Sequence, residues 1–155
     1  MQTDAATTWA AVRPGDSLPT IKLDVTLSRV MITPAATRDY FPGHHLVSYA
    51  QQEQSQPTIY LNTMSLHGFV DRVALEWAGE EWFIACRKMT MVRSAYAERI
   101  LAGTGSVLEK SRSDDGTLFI LVAVTATSGE DIAVAAEILL SNSATFSPDT
   151  YAHAS

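Results

Sequence analysis

The chain has 155 residues and 16.8 kDa, enough for one domain with one sizeable core. It is 46% hydrophobic and 18% charged, which excludes a disordered chain, and 11 basic against 17 acidic residues give a net charge of −6, which argues against a nucleic-acid-binding face. A single cysteine, Cys86, excludes an internal disulfide and a cysteine zinc cluster.

Residues 1–19 hold Pro14-Gly15 and Pro19 and are expected to be an irregular lead-in, with no apolar signal segment. The longest apolar stretch, Leu118–Ala126, is too short to span a bilayer, so no membrane association and a cytoplasmic location are expected. From Thr20, the run TIKLDVTL alternates Ile21, Leu23, Val25 and Leu27 with Lys22, Asp24 and Thr26, the pattern of a half-buried strand. Thr33-Pro34-Ala-Ala predicts an N-cap with proline at the first helical position. DYFPGHHL, residues 39–46, predicts a Pro-Gly turn, followed by one or two helical turns over Val47–Gln54.

Residues 58–78 carry the clearest helical period, with Leu66, Phe69, Val70, Val73, Ala74 and Trp77 on one stripe and Gly79 as the stop. Gly68 weakens this helix by roughly 1 kcal/mol relative to alanine unless something packs closely there. Four strands are then expected, Trp82–Val92, Glu98–Arg112, Thr117–Ser128 and Asp131–Ser141, the last two forming a central hairpin. Residues 20–142 thus make one α+β domain, a long helix wrapped by a meandering antiparallel sheet of five or six strands. Residues 143–155 are expected to be a flexible tail.

The chemistry rests on the histidines. Asp39 and His44 bracket the turn Tyr40-Phe41-Pro42-Gly43, which lets the chain fold back and aim a carboxylate and an imidazole into one pocket. Facing one water, they form an acid–base pair suited to neutral pH. Spacing alone leaves open a surface turn with an unrelated Asp and His. The rival pair is His67 and Asp71, at i and i+4 on the long helix, where a plain polar stripe is the alternative. His45 has no argument beyond bracing the turn, and His153 sits in the tail. Adjacent His44 and His45 lack metal-ligand spacing, and Gly103-Thr-Gly105 lacks the helix a phosphate loop requires. Cys86 is expected as buried packing, and Trp9, Trp77 and Trp82 as core or interface residues.

The stretch Asp39-Tyr-Phe-Pro-Gly-His44 resembles the Asp-x-Asn-Pro-x-His signature of the MaoC-like enoyl-CoA hydratases, with Phe41 in the Asn position. A narrower likeness runs from Ile59 through Asn62 to Arg72 and Glu76-Trp-Ala-Gly79. It resembles the small catalytic subunit of actinobacterial steroid side-chain hydratases. The resemblance covers most of residues 20–142 and implies a hotdog fold. It also implies catalytic Asp39 and His44, and a backbone N–H near Asn62 that polarises the thioester carbonyl. Two departures stand out: Leu61-Asn62 replaces the family's His-Gly at the helix start, and Ser94-Ala-Tyr-Ala-Glu98 replaces its Pro-x-x-Gly-Asp turn. The implied substrate is an enoyl-CoA, with coenzyme A arriving on the substrate and no metal or other cofactor. The implied partner is a second MaoC-like chain lacking the Asp/His pair, fused to a DUF35-type domain. Arg72, Lys88 and Arg93 are candidate CoA-phosphate contacts. A hotdog thioesterase, a non-catalytic scaffold subunit and a homodimer on simple acyl chains are the alternatives.

Overall fold

The computed structural model describes residues 9–145; the first eight residues, His153 and the tail from 146 lie outside it. Five strands form one antiparallel sheet: β1 (Ser17–Val25), β2 (Phe83–Met91), β3 (Arg99–Arg112), β4 (Leu118–Ser128) and β5 (Asp131–Ser141), in the order β1-β3-β4-β5-β2. The last two strands, β4 and β5, pair side by side as the expected central hairpin. The expected meander is corrected in one respect, because β2 crosses over to pair with β5 and not with β3. Both β1 and β2 are therefore edges. Pro19 fits on β1, where an edge strand has no ladder partner to lose on one side.

Three helices connect β1 to β2: α1 (Leu27–Ala36), α2 (Val47–Gln54) and α3 (Thr63–Ala78), with a 3₁₀ turn at Pro42–His44. The long helix α3 packs against all five strands. Its stripe of Leu66, Phe69, Val70, Val73 and Ala74 is buried against Leu101, Val107, Val122, Val124, Val134 and Ile138 of the sheet. Gly103 permits that approach, since a Cβ there would lie 2.5 Å from Cγ2 of Val73 and 3.0 Å from the Phe69 ring. Gly79 ends the helix at φ 91°.

Several boundaries differ from expectation for identifiable reasons. β1 begins at Ser17, and Trp9 docks earlier still: its indole N–H donates to the Phe119 carbonyl, and Lys110 and Arg112 stack on its ring. The Thr33-Pro34 signal is not a helix start. Thr26 is the cap, its hydroxyl oxygen accepting from Arg29 N–H at 3.2 Å. Leu27 is consequently an exposed first helical residue, not the end of the strand. Thr33 lies inside α1 with its hydroxyl donating to the Arg29 carbonyl, and Pro34 stands two residues before the helix ends. α3 starts at Thr63, and residues 58–61 before it are not helical. There Leu61 N–H donates to Ala95 and Ala97 N–H to Ile59, a short bridge that ties the site segment to the chain between β2 and β3. Cys86 is exposed, not packed in the core: the β2 register slips between Ile84 and Cys86, and such a slip changes which face a side chain joins.

Candidate active site

Asp39 and His44 come together at one end of α3. The chain leaves α1 through Thr37 and through Arg38 at φ 56°, a left-handed residue that reverses its direction, and Asp39 N–H donates back to the Pro34 carbonyl. Pro42 then opens the 3₁₀ turn, which places His44 on the inner side. His44 Nε2 stands 3.4 Å from Asp39 Oδ2, the histidine side chain 8% exposed and the aspartate 33%. His45, half-buried, braces the turn with Nε2 at 3.2 Å from the Asp39 carbonyl.

His44 Nδ1 lies 2.8 Å from the Tyr60 carbonyl oxygen. A carbonyl only accepts, so Nδ1 carries a proton, and Nε2 is the ring nitrogen turned toward Asp39. The Tyr60 ring meets the imidazole edge-on at 5.1 Å, and its hydroxyl donates to Gln54 Oε1 at 2.8 Å. Gly43 is crowded by Gln54, Phe41 and the Tyr60 hydroxyl, all within 3 Å of where a Cβ would stand, so the turn accepts only glycine without rearrangement.

Asp39 is held on both oxygens. Oδ1 accepts from Phe41 N–H at 3.2 Å, and Oδ2 accepts from the Asn62 amide at 3.2 Å. Burial pushes this carboxyl up, but those two hydrogen bonds and the neighbouring charges of His44 and His45 outweigh it, leaving the group below its ordinary value. Asp39 is therefore ionised at neutral pH.

Asn62 is fully buried and is the N-cap of α3, with Oδ1 accepting from Ser65 N–H at 3.1 Å and from the Ser65 hydroxyl at 2.6 Å. Its amide hydrogens go to Thr37 Oγ1 at 2.9 Å and to Asp39 Oδ2. Sequence reasoning placed only a backbone donor here. The cap itself is legible as Asn before an apolar helical run. The link to Asp39, 23 residues away, and the roles of Thr37 and the Tyr60 carbonyl have no local signal. Past the capped Ser65 N–H, the first-turn N–H groups of Thr63 and Met64 have no intrahelical carbonyl to meet, as at any helix start.

A cleft of about 620 Å³ opens over the pair, lined by Asp39, Phe41, His44, Tyr60, Leu61, Thr63, Leu66, Met91, Val92, Arg93 and Tyr96 among others. Its lining is mixed, with Gln56, Thr63, Arg93 and Ser94 polar beside the Asp39–His44 pair and Leu61, Leu66, Met91 and Val92 apolar. Of the three basic candidates only Arg93 lines this cleft, where it also pairs with Asp131 at 3.2 Å. Arg72 pairs with Glu76, and Lys88 lies beside β5 on the other strand face.

The rival pair does not face the cleft. Asp71 forms an ion pair with Arg87 of β2, and Nδ1 of His67 is buried without a hydrogen-bond partner. Burial, aided by the Arg87 charge and opposed by Asp71, lowers the His67 pKa and favours its neutral form.

Among the described residues, no helix is long and apolar enough to cross a membrane. No family model and no curated protein matches the chain. Solved structures do. A chain of the ChsH1-ChsH2 complex from Mycobacterium tuberculosis is 26% identical at a TM-score of 0.76, over 83% of this chain and 97% of that one. The (R)-hydratase from A. caviae involved in PHA biosynthesis is 13% identical at 0.72, over 84% and 96%. A MaoC-like dehydratase from Rhodospirillum rubrum is 9% identical at 0.78, over 88% and 96%. The five-stranded antiparallel sheet around a long helix is thus the hotdog fold, the α+β fold found in hydratases and dehydratases of the MaoC-like kind.

Proposed function

We propose that this chain is an enoyl-CoA hydratase, adding water across the α,β double bond of an acyl-CoA thioester. The observation that carries this reading is the ionised Asp39 standing 3.4 Å from Nε2 of His44 at one end of a cleft with both polar and apolar lining. The likeness in fold to an (R)-hydratase and to a MaoC-like dehydratase supports it.

In this reading one water in the cleft contacts both Asp39 Oδ2 and His44 Nε2 from the open side, above Cβ of the substrate. N–H groups at the α3 start, around Asn62 and Thr63, receive the thioester oxygen and stabilise the enolate-like charge. The water oxygen bonds to Cβ as one of its protons passes to the pair, and the pair returns a proton to Cα on the same face. The double bond is consumed, the proton count closes, and the Asp39 charge is restored. Coenzyme A takes part only as the body of the substrate.

The acyl group is proposed to be a steroid side chain, and the chain to be the catalytic member of a heteromer with a MaoC-like partner that lacks the Asp/His pair and carries a DUF35-type domain. The sequence stretch Ile59–Gly79 supports this, as does a structural neighbour that comes from a two-component complex. The test expresses the chain alone and with such a partner and follows loss of enoyl absorbance on steroid-enoyl-CoA and crotonyl-CoA, with free thiol measured in parallel. Hydration of the steroid substrate only in the complex is expected. Thiol release without hydration would make the protein a thioesterase, and full activity of the isolated chain on crotonyl-CoA would remove the heteromeric reading.

A further inference from the structure

The Asn62 side chain stands at a junction that neither fold nor family resemblance assigns. Both amide hydrogens and the amide oxygen are used: Oδ1 faces Ser65 N–H, a group that can only donate, so Nδ2 must be the end that meets Thr37 and Asp39. Thr37 in turn donates its hydroxyl hydrogen to the Thr33 and Pro34 carbonyls, leaving its oxygen to accept. The amide is buried and cannot rotate without orphaning a donor or an acceptor.

We propose that Asn62 is a positioning residue that sets Asp39 and the first turn of α3 in one register, capping the helix with its oxygen and aligning Asp39 Oδ2 toward His44 with its nitrogen. One rigid side chain thereby spans the two halves of the chemistry, the group that handles the water and the helix end that receives the thioester oxygen. The catalytic part of this assignment rests on the hydratase reading; the positioning part does not. Asp39 is also faced by His44 and His45 from its own turn, by neutral Thr37 and Asn62, and across the cleft by Tyr60, Tyr96 and Arg93. Asn62 is the group among these that donates directly to the oxygen nearest His44.

The variant that separates capping from positioning is Asn62→Ser, since a serine oxygen still caps the helix but the amide donor is gone. In the full chain, with its partner if assembly requires one, carbon-detected NMR follows the Asp39 carboxyl through a pH titration, beside the melting temperature. Asn62→Ser is expected to melt within a few degrees of wild type. The Asp39 titration should move upward, kcat should fall about tenfold with little change in KM, and the acidic limb of the pH profile should shift upward too. Asn62→Asp keeps both cap and shape and replaces the donor with a like charge, so it should move Asp39 further the same way and serves if the serine variant does not fold. An unmoved Asp39 titration in either folded variant overturns the positioning role. A wild-type protein that hydrates no enoyl-CoA overturns the hydratase reading, while the titration still decides the role of Asn62.

Discussion

A carboxylate with ordinary solvation would share its site with an imidazole by accident; Asp39 is instead restrained at both oxygens and kept charged. Removing that charge without changing shape, as in Asp39→Asn, is expected to lower hydration by at least about 100-fold, the scale of a general acid–base contribution. His44→Ala should do the same, and steady-state assays of correctly assembled protein check both. His67→Ala is the control, and near-normal turnover is expected because His67 lies outside the cleft. The pH dependence has a definite sign. The folded-state pKa of Asp39 lies below its ordinary 3.8, so its share of stability is fully present above the unfolded value and is lost as pH falls through the folded one. Wild type should therefore lose stability relative to Asp39→Asn only in that acidic window, as denaturant melts at stepped pH would show, and Asp39 should set no activity limb near neutrality.

At the scale of elements, two glycines make opposite predictions. Gly68 sits in α3 with nothing within 4 Å of a would-be Cβ, so Gly68→Ala should stabilise the chain by about 1 kcal/mol through helix propensity. Gly103→Ala would drive a methyl into Val73 and Phe69 and should cost about 1–3 kcal/mol, both effects being read by denaturant unfolding. A loss of stability in Gly68→Ala would mean that something in the assembly packs on that helix face. The elements were legible where a buried face imposed its period: the Leu66–Ala74 stripe of α3 and the alternation of Ile21, Leu23 and Val25 in β1 stand where hydrophobic spacing put them. They were misread where two local signals competed. Thr33-Pro34 carries the same chemistry as a helix start, but Thr26 had already capped the helix, and proline near the last turn loses few bonds. Cys86 turned outward because a register slip has no marker in composition. The Asp39–His44 pair was visible as a motif, whereas the Asn62 amide and the Tyr60 carbonyl act across the fold, through contacts no window of sequence contains.

For the molecule as a whole, the division between near and far contacts has a dynamic consequence. Asp39, His44, Tyr60 and Asn62 come from one short run of chain, whereas the sheet joins β1 to β3 across most of the domain. Between β1 and α3, this run forms no ladder with the sheet; the bridge of Ile59 and Leu61 with Ala95 and Ala97 is its backbone tether to the chain beside β3. Segments held by few such bonds open on their own, below the free energy of global unfolding. In native-state hydrogen exchange, amides of α1, the 3₁₀ turn and α2 should open as a group ahead of β4 and β5, with Leu61 and Ala97 the slowest at its boundary. Warming or mild denaturant should then extinguish turnover while the sheet is still intact, so the temperature at which the protein stops working would report on that tether and not on the core.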